Sequence, residues 1–253
     1  MSDLRARPLP DLPELKAGDD LAAMIVAAAA RTQITLGDDQ VVVVAHKAVS
    51  KMEGAVVALA DVRPSERAVQ LAAQLGKDPR QVQVVLDESA QVLRAERGVL
   101  ITRTHHGLVC ANAGVDASNA TVADTLVLLP RDPDASARLL RRRLGDLGGA
   151  LPAVLISDSF GRAWRNGQCD VAIGCAGMAP LQDWRGRRDS VGRELHATWL
   201  AAADAATATA DLARAKNSRE PVVVIEGLQA HVTAGDGPGA RALLRPAAED
   251  LFL

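Results

Sequence analysis

Five consecutive residues, Val41-Val42-Val43-Val44-Ala45, constrain the fold more than any other stretch of the chain. Four β-branched side chains in a row are stiff at χ1 and favour extended backbone. No polar position interrupts them, so the run reads as a fully buried strand. Residues 154–156 read as another strand and residues 222–225 as a late buried one. The chain has 253 residues, enough for one large domain or two small ones around an ample core. Apolar residues make up 48% of it but aromatics only 2%, with no Tyr, so the core must be built from Ala, Val and Leu. That composition argues against an aromatic stacking platform for single-stranded nucleic acid. A net charge of −2 gives no global attraction to DNA or an anionic membrane, so an anionic substrate must be caught by a local basic site.

Other elements follow from caps and periodicity. Residues 12–15 form a short extended lead-in. Asp19 or Asp20 can cap a helix over Leu21–Arg31, because a carboxylate satisfies free amide donors there. Gly37-Asp38-Asp39 is a turn. After the first strand, His46-Lys47-Ala48-Val49-Ser50-Lys51 sets two lysines four residues apart. Residues 65–75 and 79–96 read as helices; in the second, Val82, Val85, Leu86, Ala90 and Leu93 fall at helical spacing. Val99–Thr104 and residues 108–111 read as a hairpin around His105-His106-Gly107. Pro130-Arg131-Asp132-Pro133-Asp134 turns the chain into a helix over 135–147, whose Arg138, Arg141, Arg142 and Arg143 read as a solvated face. A strand at 171–176, a charged loop at 183–194 and an Ala-rich helix at 198–215 complete the pattern. Helices and strands mix without strict βαβ alternation. The expected class is α+β, or irregular α/β, with mixed sheets flanked by helices. The Rossmann and Walker phosphate loops are both absent.

The chemistry concentrates in two segments. Asn112-Ala113-Gly114-Val115-Asp116-Ala117-Ser118-Asn119 follows an apolar stretch and puts a carboxylate, a hydroxyl and a carboxamide within four residues. Ser157-Asp158-Ser159-Phe160-Gly161-Arg162-Ala163-Trp164-Arg165 repeats the theme. Hard oxygen donors suit Mg²⁺ or Mn²⁺, and basic residues nearby suit phosphate. Arg162 and Arg165 are candidates for holding an anionic substrate. Cys110, Cys169 and Cys175 are too few and too oddly spaced for a disulfide framework or a zinc site, and fit a reducing cytoplasm. Cys110 and Cys175 read as small buried hydrophobes, and Trp164, Trp184 and Trp199 as packing anchors. The N-terminal stretch lacks the apolar run of a signal peptide, and residues 22–30 are too few to span a bilayer. No membrane or nucleic-acid partner is expected.

An ordered series of blocks resembles the coenzyme F420-0:γ-glutamyl ligase family. It comprises Leu12-Pro13-Glu14-Leu15, Val49-Ser50-Lys51-Met52-Glu53-Gly54, the Asn112–Asn119 and Ser157–Gln168 segments, Leu129-Pro130-Arg131-Asp132-Pro133-Asp134-Ala135-Ser136, and Asp183-Trp184-Arg185-Gly186-Arg187-Arg188-Asp189. The resemblance spans roughly residues 8–230 of what reads as a single ligase module over residues 1–253, or two intimately packed subdomains. It implies GTP-dependent amide formation between L-glutamate and coenzyme F420-0, then a further γ-linked glutamate, through an acyl phosphate. It also implies Mg²⁺ or Mn²⁺ and an intertwined homodimer.

Residue by residue, the resemblance makes Asp116, Asp158 and Ser159 metal ligands. Asn119 and Lys51 become nucleotide contacts, and Leu12, Pro13, Glu14, Leu15, His46 and Lys47 line the nucleotide site. Lys216-Asn217-Ser218-Arg219-Glu220 corresponds to a late nucleotide and metal loop, without a clearly alignable carboxylate. Three positions depart from the family pattern: Asp11 where glycine is usual, Ala205 where an acid follows Asp204, and Glu226 where arginine precedes Gly227. Two alternatives stand beside this reading: a glutamyl ligase acting on another acidic cofactor, and a non-catalytic nucleotide- or cofactor-binding protein.

Overall fold

The computed structural model describes residues 3–117, 124–215 and 217–250. In chain order the main elements are β1 (Arg5–Pro8), α1 (Leu21–Arg31), β2 (Val41–Ala45), α2 (His46–Met52), β3 (Val56–Ala58), α3 (Glu66–Leu75), α4 (Pro79–Asp87) and β4 (Ser89–Glu96). They continue through β5 (Val99–Thr104), β6 (Val109–Ala111), β7 (Thr125–Val127), α5 (Pro133–Gly148), β8 (Ala153–Arg162), β9 (Arg165–Ala176), β10 (Leu181–Asp183), β11 (Trp199–Ala201), α6 (Ala202–Ala213) and β12 (Val222–Glu226).

A five-stranded sheet in the order β1-β12-β2-β8-β9 forms the centre. Only β2 and β8 run parallel, with Val41 opposite Ala153 and Ala45 opposite Ser157; the other neighbours are antiparallel. Helices cover both faces, which is why the strand runs carry no polar positions. Val42, Val44, Val154, Ile156, Val222 and Val224 face α1, α2 and α5. The alternate residues Val41, Val43, Ala153, Leu155, Val223 and Ile225 face Ala202, Ala203, Ala206 and Ala210 of α6. A three-stranded sheet, β4-β5-β6, packs Leu100 against Ala68, Ala72 and Leu75 of α3 and Val82 and Val85 of α4. The mixed α+β class expected from the sequence is the class found.

Several boundaries differ from expectation. The helix expected over 79–96 ends at Asp87, and Ser89–Glu96 is instead a strand paired with β5. Val82 and Val85 carry the helical stripe, while Ala90 and Leu93 match that spacing only by coincidence. The Ala-rich helix starts at Ala202, because Trp199–Ala201 pairs with β10. Residues 12–15 lie outside any strand, and the extended segment is Arg5–Pro8. Polar composition and a proline hid β1, but its edge position tolerates both. The strands around 154–156 and 171–176 extend into one long hairpin, so Asp158 and Ser159 lie inside β8 rather than beyond it.

Two expectations about side chains are overturned. Trp164 is 81% exposed at the tip of that hairpin and Trp199 is half exposed, so neither anchors packing. The Arg185 guanidinium lies 4.3 Å over the Trp199 ring, and Arg187 lies 4.8 Å over Trp184. Arg141 is buried rather than solvated. It donates to Asp236 Oδ1 at 2.9 Å and to the carbonyls of Pro152, Leu151, Thr233 and Ala234.

The Pro130–Asp134 block gains a structural account. Asp132 caps α5 by accepting from the Ala135 N–H. Asp134 accepts from the backbone N–H groups of Cys175 at 2.9 Å and Ala240 at 2.7 Å, pinning the later chain to the start of α5. Gly174 is required beside it, because a Cβ there would lie 2.4 Å from the Pro133 carbonyl oxygen.

Candidate active site

The chain passes from β2 into α2 without a loop: Ala45 ends the strand and serves as the N-cap of the helix. The first two helical residues reach in different directions. His46 is buried, with Nε2 3.3 Å from Asp158 Oδ1 and Nδ1 3.4 Å from Ser50 Oγ. The Lys47 ammonium lies 2.5 Å from Asp116 Oδ2. One turn later, Lys51 forms an ion pair with Glu14. Lys47 and Lys51 share a helix face because four residues bring a side chain back to the same side.

Backbone pairing presents both aspartates. Asp116 exchanges N–H and carbonyl bonds with Val127 at 3.0 and 2.9 Å, so its side chain is set by the β7 ladder. Asp158 lies on β8, the parallel neighbour of β2. The sheet and this ladder thus bring Glu14, Asp116 and Asp158 to one short helix from three separated parts of the sequence. Leu12 is half-buried, Pro13 exposed and Leu15 buried in the core beside α1. Asn119 lies outside the described residues, as does Lys216.

Ser159 goes elsewhere. Successive strand residues point to opposite faces, so Asp158 faces α2 while the Ser159 hydroxyl donates to Asp170 Oδ1 at 2.6 Å. Ser157 donates to the other oxygen of the same carboxylate at 2.9 Å. Arg214 completes the group, 2.5 Å from Asp170 Oδ2. Asp170 and Ser157 are almost completely buried. Sequence reasoning missed Asp170 and Arg214, although an acid between Cys169 and Val171 in an apolar strand needs a partner. Arg162 and Arg165 pair across the exposed hairpin tip, where Arg162 donates to the Asn166 carbonyl at 3.0 Å.

Among the described residues, no cluster of three His, Cys, Asp or Glu side chains is arranged to hold a metal ion. Mg²⁺ commonly keeps several waters and takes one or two protein carboxylates together with substrate phosphates. Asp116 and Asp158 supply carboxylates of the type such an ion takes, one against Lys47 and the other against His46. The Lys47 ammonium, already seated against Asp116, is a stand-in for positive charge at that carboxylate.

The remaining side chains separate structure from chemistry. Burial, reinforced by the Asp158 charge, pushes the Cys110 thiol up to about 12. Burial, with the charge of Asp134, does the same to Cys175, so both behave as the small hydrophobes expected. His105 and His106 flank the β5–β6 turn and bind the carbonyls of Asp87 and Pro130. Asp11 adopts φ +57°, in the left-handed region where glycine is at ease. The departure there puts a side chain on a backbone conformation that glycine adopts without strain. Glu226 is paired with Arg7 at 2.7 Å.

A family profile described as F420-0:Gamma-glutamyl ligase matches residues 11–227, a span that includes every element of this site. Coenzyme F420:L-glutamate ligase of Methanopyrus kandleri is 42% identical over 251 residues, covering 98% of this chain and 97% of that protein. The protein of the same description from Methanothermobacter thermautotrophicus is 41% identical over 243 residues, covering 95% of each chain. The one from Methanocaldococcus jannaschii is 39% identical over 243 residues, covering 96% of this chain and 94% of its own. These relatives make the chain an enzyme, a ligase that joins an amino acid to an acceptor. The chain belongs to the F420-0:γ-glutamyl ligase family. No helix among the described residues is long and apolar enough to cross a membrane.

Proposed function

We propose that this chain is a GTP- and divalent-metal-dependent ligase that forms an amide between L-glutamate and coenzyme F420-0, and adds a further glutamate through the γ-carboxyl. The observation that carries the reading is the convergence of Asp116, Asp158, Lys47 and Lys51 on α2. Identity of about 40% to proteins described as coenzyme F420:L-glutamate ligases supports the choice of substrates.

In this reading the acceptor carboxylate attacks the γ-phosphorus of GTP, giving an acyl phosphate and GDP. The glutamate amine then attacks the acyl carbon, phosphate leaves and the amine proton is lost. Mg²⁺ or Mn²⁺, when bound, neutralises phosphate oxygens as charge shifts. Asp116 and Asp158 would hold it, while Ser159, bonded to Asp170 on the opposite face, would support the strand that carries Asp158. Lys47 offers a point charge to phosphate as Asp116 turns to the cation, and Lys51 offers a second. Leu12, Pro13, Glu14, Leu15, His46 and Asn119 are proposed to border the nucleotide, and Arg162 and Arg165 to meet the anionic acceptor.

We also read the enzyme as a cytoplasmic homodimer. The exposed Trp164, Val191, Trp199 and Leu200 on projecting segments support an interface between two copies. Light scattering tests it directly, and a monomer at micromolar concentration would refute it.

The activity is tested by incubating the protein with GTP, Mn²⁺, L-glutamate and coenzyme F420-0 and reading products by mass spectrometry. The expected result is a gain of one or two glutamyl units that disappears without metal. Absence of any gain, with GTP still bound, refutes this acceptor assignment.

A further inference from the structure

The α6 side of the sheet carries a polar group that the proposed chemistry does not use. Asp170 is about 1% exposed, yet it is a carboxylate. It accepts from Ser159 Oγ at 2.6 Å and Ser157 Oγ at 2.9 Å. The Arg214 guanidinium, itself about nine-tenths buried, lies 2.5 Å from it. Thr207 of α6 donates to the Asp170 backbone carbonyl at 3.1 Å.

The guanidinium does more than neutralise a buried charge. Its Nη1 donates to the Pro221 carbonyl at 3.2 Å, and its Nη2 also reaches Ser157 Oγ at 3.2 Å. One side chain therefore ties Pro221, at the entry to β12, to Ser157 of β8. The Pro221 carbonyl also accepts the Ala45 N–H at 2.8 Å, and Ala45 immediately precedes His46 and Lys47. A connected path therefore runs from the strand bearing Asp158, through Asp170 and Arg214, to the start of α2.

Filling space does not require such a pair. Replacing a buried ion pair with well-packed apolar groups of similar volume is often neutral or stabilising. A fixed carboxylate and a planar guanidinium instead impose direction on the groups they bond.

We propose that Asp170 and Arg214 are positioning residues of the active site. They orient the Ser157–Ser159 segment of β8 relative to Pro221 and the first turn of α2, and so set the geometry in which metal and nucleotide are held. This inference rests on the reading of Asp158 as a metal ligand.

The test titrates Mn²⁺ in the presence of GTP into the full-length protein, followed by the electron paramagnetic resonance signal of free Mn²⁺. Thermal unfolding is recorded on the same samples. Asp170→Asn should weaken Mn²⁺ binding by about tenfold or more, the range found when groups that orient metal ligands are altered. Arg214→Gln should do likewise, whereas Arg214→Lys, which keeps the charge, should recover part of the loss. A role confined to stability would lower Tm and leave the affinity of the folded protein unchanged; that result overturns the proposal. Wild-type affinity in Asp170→Asn combined with lost affinity in Asp158→Asn also overturns it, while leaving the metal site standing. Wild-type affinity in Asp158→Asn overturns the metal assignment itself. If Asp170→Asn does not fold, Ser157→Ala removes one of its hydrogen bonds, leaves the ion pair intact and carries the test. A several-fold loss of Mn²⁺ affinity supports the proposal, and none overturns it.

Discussion

Arg141→Met should be among the most destabilising single changes on α5. The guanidinium is 5% exposed and bonds four backbone carbonyls and the Asp236 carboxylate. Methionine fills much of the same volume but donates no hydrogen bond, so it strands acceptors that folding has removed from water. Breaking a buried charge pair by removing one partner typically costs about 3–5 kcal/mol. Asp236 is about one-third exposed and water can reach it again, which places the expected cost near the lower end, about 3 kcal/mol. For a chain of this size each kcal/mol moves Tm by about 2–4 °C, so the expected fall is roughly 6–12 °C. Paired thermal and urea unfolding curves measure it. Arg142→Met, one residue along and exposed, should change stability by less than about 0.5 kcal/mol. Equal Tm values for the two variants would refute the reasoning, because they would mean that the five contacts contribute nothing net.

Three further outcomes are expected. Asp116→Asn and Asp158→Asn should each abolish turnover while leaving the circular dichroism spectrum unchanged; full activity in both would remove these carboxylates from the chemistry. At pH 8 a thiol reagent should label the native protein at Cys169 and spare Cys110 and Cys175, whose thiols are held near 12 by burial; rapid labelling of all three would contradict that burial. Asp204 is half-buried at the start of α6, and desolvation raises its pKa although the Ala172 N–H offsets part of the effect. A raised folded pKa contributes stability below the unfolded value of about 3.8 that is lost as pH rises through the folded value. Asp204→Asn should therefore flatten the decline in stability above pH 4, and an unchanged slope in urea midpoints between pH 4 and 7 would argue against it.

Much of this architecture is legible locally. Val41–Ala45 announces a strand buried on both faces, and Asp20, Ser65, Asp78 and Asp132 each cap a helix through a side-chain oxygen. What is not legible depends on partners far along the chain. β1 becomes a strand only because β12 offers an edge, and Ser89–Glu96 is extended because β5 lies beside it. The same limit applies to the site. Asp116 and Asp158 stand out by residue type, but their meeting at α2 follows from the β2–β8 register and the Asp116–Val127 bridge. The adjacency of Asp158 and Ser159 suggests a shared role, yet strand alternation separates them. Arg141 resembles its exposed neighbours on paper, and the segment that buries it arrives about ninety residues later.

The absence of a loop between β2 and α2 has a consequence for how this sequence can change in length. His46 and Lys47 begin where Ala45 ends, and Ala45 is locked opposite Ser157 on one side while its N–H is held by Pro221 on the other. An insertion or deletion at this corner would turn α2 by about 100° per residue and carry both side chains away from their aspartates. The largely exposed residues 190–198, between β10 and β11, have no such constraint from the central sheet. A change of length at residues 190–198 would leave the β2–β8 register untouched, whereas the 45–47 corner must keep its spacing for as long as the activity is retained.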